Sequence, residues 1–304
     1  MSTQSETYRI APPGFTREQW DTFERDGFLI FENAISDEEV DRYIEAIHRK
    51  RAEDSRASDD GHWAPQNFVE LDPVFSELID HPRHIGYAYD IFGELTKLHE
   101  SQIFCRPGGQ REYNKWHPDG GRALPYGVFS PRLPLCIKIG YWLTDLPHEM
   151  MGNFVGIPGS HRTQYCDGYD THETMPGQMV LQVPRGTMTI MNSNLWHMVQ
   201  PNQSDVTRLN FFLAYCPSWI TPSDRFHSDP EWLQTLNREQ RILMRSYHHA
   251  YDNAKPKPSE FPLFLDRETG ADRDPGKYRE HVGLSRRKRI TQAEKFLAES
   301  MQPA

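Results

Sequence analysis

Apolar residues recur at helical spacing in two stretches near the start of the chain, and each stretch opens on a capping signal. Thr16-Arg17-Glu18-Gln19 and Ser36-Asp37-Glu38-Glu39 both place a hydroxyl at the N-cap and a Glu or Gln three residues on. Two N-terminal helices are predicted. Between them, residues 27–31 (Gly-Phe-Leu-Ile-Phe) form a short apolar run preceded by Asp26, which predicts a buried strand. Residues 53–65, rich in Asp, Ser and Arg, predict a mobile loop.

From about residue 98 to 216 the pattern changes to short apolar runs separated by Pro, Gly and Asn clusters. The runs cover 102–105, 135–143, 153–157, 178–183, 187–191, 196–200 and 208–215. Closely spaced strands with turn signals describe an antiparallel sandwich or barrel, not alternating βα units. After Pro217 the pattern is helical again. Asp229-Pro230-Glu231 supplies an N-cap and a first-turn proline for a helix predicted to run to about residue 249. Residues 252–280, rich in Pro and charge, predict a wrapping segment, and 287–300 a last amphipathic helix. No internal repeat interrupts this plan, and 304 residues fit one domain. Within residues 1–304, 16–97 support a strand core at 98–216, and 217–304 form a helical extension with the role of a lid, substrate wall or homodimer contact.

Composition narrows the function. A net charge of −9 with 25% charged and 12% aromatic residues fits a folded acidic protein and argues against a nucleic-acid partner. The basic run Ser285-Arg-Arg-Lys-Arg289 is then read as a solvated helix start or subunit contact. The four cysteines, Cys105, Cys136, Cys166 and Cys216, have no CxxC spacing, and buried reduced thiols are expected. The start MSTQSETYRI has no secretory pattern, and no stretch nears the roughly 20 apolar residues of a membrane helix. A cytoplasmic enzyme with no membrane partner is the resulting expectation. Asn202-Gln203-Ser204 matches a glycosylation sequon and is read instead as turn chemistry.

The chemistry concentrates in Trp116-His117-Pro118-Asp119. On extended chain, residues two apart share a side, so an imidazole and a carboxylate can hold one metal ion. A second His-x-Asp occurs at His227-Ser228-Asp229, where Asp229 is better explained as the helix N-cap. The first copy sits in the strand-rich half and has a third candidate ligand downstream, His197. Residues 201–205 (Pro-Asn-Gln-Ser-Asp) form a turn signal between two apolar runs, which predicts a hairpin with His197 opposite Arg208 or Leu209.

Two imidazoles and one carboxylate make the facial triad of non-haem iron(II) oxygenases, which leaves positions open for other ligands. A 2-oxo acid can take two of these, leaving one for dioxygen. Its distant carboxylate needs a fixed cation, and Arg208 offers a permanently charged bidentate donor. A lone strand histidine is commonly a core residue, and a lone hairpin arginine a surface ion pair. The order of His-x-Asp, distal His, turn and Arg is what points to a site.

With these residues in place, the sequence resembles the phytanoyl-CoA dioxygenase family of iron(II)/2-oxoglutarate-dependent oxygenases, from about Glu18 to Tyr215. The resemblance rests on residues 23–30 and 35–40, on Trp116 to Asp119, on residues 152–161 ending Pro-Gly-Ser-His, and on His197 through Arg208 to Tyr215. It implies a mainly β fold with flanking helices (α+β) around a double-stranded β-helix, a cupin-like jelly-roll core. It also implies iron(II), 2-oxoglutarate and O2 as cofactor and cosubstrates, and places Gln102 on a strand facing the pocket, in contact with 2-oxoglutarate or substrate. One departure is Val199, two residues after His197, where relatives often carry a hydroxyl that helps hold the cosubstrate. His161 and Arg162 are expected to brace a loop.

Hydroxylation of an unactivated C–H bond of a small-molecule metabolite is the expected activity, with succinate and CO2 released. The carboxylate at Asp119 argues against halogenation. Asn114, Trp116, Arg122, Lys138 and Tyr141 are the candidate substrate residues, each able to serve packing instead. The acidic composition favours a free metabolite over a CoA ester. The rival readings are a cupin-like metalloenzyme that does not use 2-oxoglutarate and a non-catalytic jelly-roll binding protein.

Overall fold

The computed structural model describes residues 12–93, 96–109, 114–119, 134–162 and 171–244. Helix α1 (Arg17–Asp26) and helix α2 (Asp37–Glu53) start on complete capping boxes at Thr16 and Ser36. Between them runs β1 (Phe28–Phe31). Residues 54–67 are anchored rather than a free loop. The buried Trp63 donates from its indole to Asp54 at 3.0 Å, and Trp63 and Gln66 bridge to Cys105 and Gln102. Two short helices follow, α3 (Pro73–Ser76) and α4 (Ile85–Phe92). Helix α4 is buried along nearly its whole length, so its apolar residues lack the one-sided period by which a surface helix is read.

The core contains eight strands among the described residues. They are β1, β2 (Thr96–Arg106), β3 (Ile137–Trp142), β4 (Phe154–Gly156), β5 (Met179–Val180), β6 (Thr187–Asn192), β7 (His197–Val199) and β8 (Arg208–Pro217). They make a five-stranded sheet, β1-β6-β3-β8-β2, and a three-stranded sheet, β5-β4-β7, with every pair antiparallel. This is the jelly-roll expected from the sequence.

Alternation sets which face each residue serves. Ile137, Ile139 and Tyr141 on β3, with Phe211, Leu213 and Tyr215 on β8, join the main core beneath α1, α2 and α4. The other parity turns between the sheets, where Phe28, Trp142, Met191 and Phe212 meet Phe154 and Leu195 from the smaller sheet side.

Three further expectations are corrected. Strand β2 begins six residues before the run read at 102–105, because its inward positions are polar. His197 and Arg208 do not pair as a hairpin: β7 pairs with β4 on one side and with the His117 segment on the other, which leaves β8 no free edge of β7, so β8 enters the larger sheet. The intervening corner is held by Asn202, whose side chain donates to Arg106 O and Val206 O at 2.9 and 2.8 Å. The helix starting at Asp229 is α5 (Pro230–Thr235), and it ends before a new capping box at Asn237 that opens α6 (Arg238–Leu243). Arg122, Cys166 and the elements expected beyond residue 244 lie outside the described residues. None of the described helices is long and apolar enough to cross a membrane.

Candidate metal centre

The site begins with a backbone event. His117 and His197 donate their N–H groups to each other's carbonyls, both at 3.0 Å, so the two residues face each other across a two-stranded bridge. Their ring centroids lie 4.4 Å apart. Each ring is also oriented by its own backbone: Nδ1 lies 2.7 Å from Lys115 O in His117 and 2.9 Å from Leu195 O in His197. A carbonyl only accepts, so Nδ1 carries the proton and Nε2 presents its lone pair. Phe154 stacks on the His197 ring with centroids 5.3 Å apart, which fixes the ring plane.

Asp119 completes the set. Its Oδ1 is 3.9 Å from His117 Nε2, and its Oδ2 is 3.7 Å from His197 Nε2. One ligand atom from each of the three residues can be chosen so that all lie within 4.8 Å of one another. They form the one such group with metal-binding potential among the described residues. Burial opposes ionisation of Asp119, but the Lys138 ammonium, 2.8 Å from Oδ2, and the two imidazoles outweigh it and hold the carboxyl well below the usual range. The carboxylate is therefore charged and the imidazoles can be neutral, the protonation states metal coordination requires. Two nitrogens and one oxygen without thiolate suit a ferrous ion with open positions.

The neighbouring pocket is cationic. Arg208 is 2% exposed and donates from Nη1 to Gly152 O, while its Nε is buried without a partner. Directly opposite on β2 stands Arg106, whose Nε is likewise buried and unpartnered. Burial and the nearby Arg106 both work against the charge on Arg208. Like charges in register destabilise a sheet unless an anion lies between them. On the same face as Arg208, two residues on, Asn210 is 0% exposed with both amide atoms unpartnered. Gly152 permits this packing: its φ is +76°, and a Cβ there would sit 3.3 Å from Arg208 Cδ. A run of contacts joins this pocket to the triad, from Arg208 over Trp142 (5.6 Å), through the edge contact of Trp142 with Phe212 (5.9 Å), to Lys138 over Phe212 (5.7 Å) and so to Asp119.

The family model for phytanoyl-CoA dioxygenase (PhyH) matches residues 23–210, more than half of the chain. This chain belongs to the PhyH family. Among curated relatives, an ectoine dioxygenase of Nocardia farcinica is 28% identical over 238 residues, covering 65% of this chain and 76% of that protein. One of Bordetella bronchiseptica is 30% identical over 232 residues, covering 65% and 74%. Among solved structures, EctD from S. alaskensis in its apo form overlays with a TM-score of 0.58 at 21% identity, covering 80% of this chain and 90% of that one. HygX from Streptomyces hygroscopicus with nickel and 2-oxoglutarate bound gives 0.57 at 20% identity, covering 69% and 90%. At these identities the structural likeness shows the shared fold.

Within this PhyH-family site, the expected substrate residues separate. Lys138 lies against Asp119, and Gln102 has the inward parity of Phe104, whose ring meets Phe212. Tyr141 does not join them. It is 0% exposed on the opposite face of β3, with its hydroxyl 2.6 Å from His84 Nδ1 under the helices. Trp116 also points away from the metal residues, packing with Val155, Ile157 and Met198 on the outer face of the smaller sheet, its indole donating to Glu173 O at 2.7 Å. Asn114 shares the parity of Trp116, and its N–H donates to Val199 O at 3.2 Å. His161 braces a loop as expected, its Nε2 lying 3.1 Å from Glu24 O.

Three inward residues were missed in the sequence: Glu100, Arg106 and Asn210. Arg106 and Asn210 carried a signal, since each stands at or next to the ends of strands already marked by Gln102 and Arg208. Glu100 was hidden by an irregularity of β2.

Proposed function

We propose that the chain is an iron(II)/2-oxoglutarate-dependent dioxygenase that hydroxylates an unactivated C–H bond of a small-molecule metabolite. The observation that carries the reading is the convergence of His117, Asp119 and His197 near the buried Arg208, which stands in register with Arg106. Family membership and the ectoine dioxygenases among its relatives support the same class. In this reading the two Nε2 atoms and the Asp119 carboxylate hold iron(II). When bound together, iron, 2-oxoglutarate and dioxygen supply an oxidant able to attack a C–H bond, with release of succinate and CO2.

The protein's own groups then have defined tasks. Arg208 grips the distant carboxylate of the oxo acid, with Arg106 and Asn210 beside it in place of the hydroxyl that Val199 lacks. Lys138 holds Asp119 Oδ2 so that the carboxylate keeps one orientation. Trp142, Phe154 and Phe212 exclude water around the reacting region. Because Asp119 occupies the third ligand position, no place is left for a halide, and hydroxylation is the favoured outcome.

The test is succinate formation by iron-reconstituted protein. Succinate formed from 2-oxoglutarate, stimulated by a small metabolite with ectoine as the first candidate, and lost in Arg208→Ala, supports the reading. Turnover of a substrate without the oxo acid would replace it with a different metal-dependent activity.

A further inference from the structure

Strand β2 changes parity at His99. Leu98 belongs to the core beneath the helices, whereas Phe104 points between the sheets, although six residues apart in a regular strand share one face. The register explains it: Leu98 opposes Tyr215, Glu100 opposes Ala214, and His99 is the extra residue of a bulge. The segment after β8 secures this bulge. Ser223 N donates to His99 O at 3.0 Å, Arg225 Nη2 to Leu98 O at 2.8 Å, and Asp224 Oδ2 accepts from Ser101 N at 2.8 Å.

The bulge turns Glu100 toward the metal residues. Glu100 and Lys138 are both in register with Ala214, one on each side of it. Neighbouring strands put their Cα atoms about 10 Å apart across a methyl group, a gap suited to a small ligand group. Lys138 pairs with Asp119 at 2.8 Å and also feels the Glu100 carboxylate across Ala214. Arg106 and Arg208 stand in register at the far end of the strand pair. Glu100 accepts from the Ser223 hydroxyl but forms no ion pair among the described residues, and burial pushes its carboxyl up from the usual range. The adjacent His99 Nδ1 is buried without a partner. Lys138, the nearest cation among the described residues, offsets this burial only in part, since its ammonium pairs directly with Asp119, and a partly desolvated carboxylate is a place where a cationic ligand group gains by binding.

We propose that Glu100 is a specificity-determining residue that receives a positively charged nitrogen of the substrate, an ammonium, amidinium, guanidinium or quaternary ammonium group. The inference rests on the oxygenase reading and deepens it by naming the substrate class. Glu100 does not touch the metal; it sets which small molecules come to rest beside Asp119.

The experiment uses full-length protein loaded with nickel(II) and 2-oxoglutarate for binding, and with iron(II) for succinate formation. The probes are ectoine, L-arginine, L-lysine and glycine betaine, with 3,3-dimethylbutanoate and hexanoate, which have an uncharged carbon group where glycine betaine and L-lysine have a cationic nitrogen, as counterparts uncharged at that position. Expected are a thermal shift or stimulated turnover from at least one cationic probe and a response at least about tenfold weaker from the uncharged counterparts, the size of one lost charged contact. In Glu100→Gln, KM for the responding probe rises about tenfold or more with kcat little changed, and Glu100→Asp retains the discrimination. Equal response to charged and uncharged probes, an unchanged KM in Glu100→Gln, or no response to any cationic probe overturns the proposal. Calorimetric binding of 2-oxoglutarate to the nickel-loaded wild type is read separately, and its absence would sink the oxygenase reading itself.

Discussion

His117 and His197 are joined by a reciprocal pair of backbone hydrogen bonds, so the spacing of the two imidazoles is set by main chain rather than by side-chain packing. Truncating either side chain leaves this bridge intact. The metal residues can therefore be removed singly without dismantling the corner of the fold that carries them.

Metal binding is expected to stabilise the protein, because a ligand bound only by the native state adds RT ln(1 + [L]/Kd), about 2.7 kcal/mol at a hundredfold excess over Kd. Thermal unfolding of the wild type should shift upward on adding manganese(II) or nickel(II). His197→Ala should melt near the metal-free wild type and show no shift. An equal metal-induced shift in both proteins would place the ion elsewhere.

Arg208→Lys keeps the charge but loses the planar fork, and the KM for 2-oxoglutarate is expected to rise by about tenfold or more. Gly152→Ala strikes the same residue from behind, since its left-handed φ of +76° and a Cβ contact at 3.3 Å both resist a side chain. It should lower stability by about 1–3 kcal/mol and raise the same KM. Steady-state kinetics with varied 2-oxoglutarate check both variants.

His84 makes stability depend on pH. It is fully buried, with Nε2 donating to Leu78 O at 3.0 Å and Nδ1 accepting from the Tyr141 hydroxyl at 2.6 Å, a neutral tautomer. Burial, reinforced by His81, holds its pKa well below the ordinary value. The unfolded chain takes up a proton below about pH 6.5 that the folded chain refuses, so this contribution is complete above that pH and is lost as pH falls. The slope is at most about 1.4 kcal/mol per pH unit for one such group. Denaturant midpoints between pH 8 and pH 5 should fall for the wild type. His84→Gln should be less stable at pH 8 by about 1–3 kcal/mol and show a flatter decline.

Burial pushes the Cys105 and Cys216 thiols up to about 12, and raises Cys136 as well. Thiolate is the reactive form, so none of the three should be alkylated by iodoacetamide at pH 8 in native protein. Peptide mass spectrometry before and after denaturation measures this.

Much of this molecule could be read from the chain because local chemistry and global position agree. The capping boxes at Thr16 and Ser36 open helices as expected, and the apolar runs at 187–191 and 208–215 become β6 and β8 because both faces of the larger sheet are covered. The same rule failed for β2, where Glu100, Gln102 and Arg106 occupy positions of the same inward parity as Phe104 and so remove the apolar signal. Tyr141 and Trp116 were misplaced by proximity in sequence, since one step along a strand turns a side chain to the other face. The supposed hairpin between β7 and β8 could not be judged from its turn residues alone, because the partners competing for the edges of β7 lie at 117 and 154–156.

The central claim is that three side chains hold one iron whose oxo-acid partner is gripped by Arg208. Release of labelled CO2 from 1-labelled 2-oxoglutarate by anaerobically reconstituted, then oxygenated, protein tests it most directly. The wild type should turn over. His117→Ala, Asp119→Ala and His197→Ala should each fall by about a thousandfold or more, and Arg208→Ala should recover only at high 2-oxoglutarate. Turnover in the three ligand variants equal to that of the wild type would contradict the account.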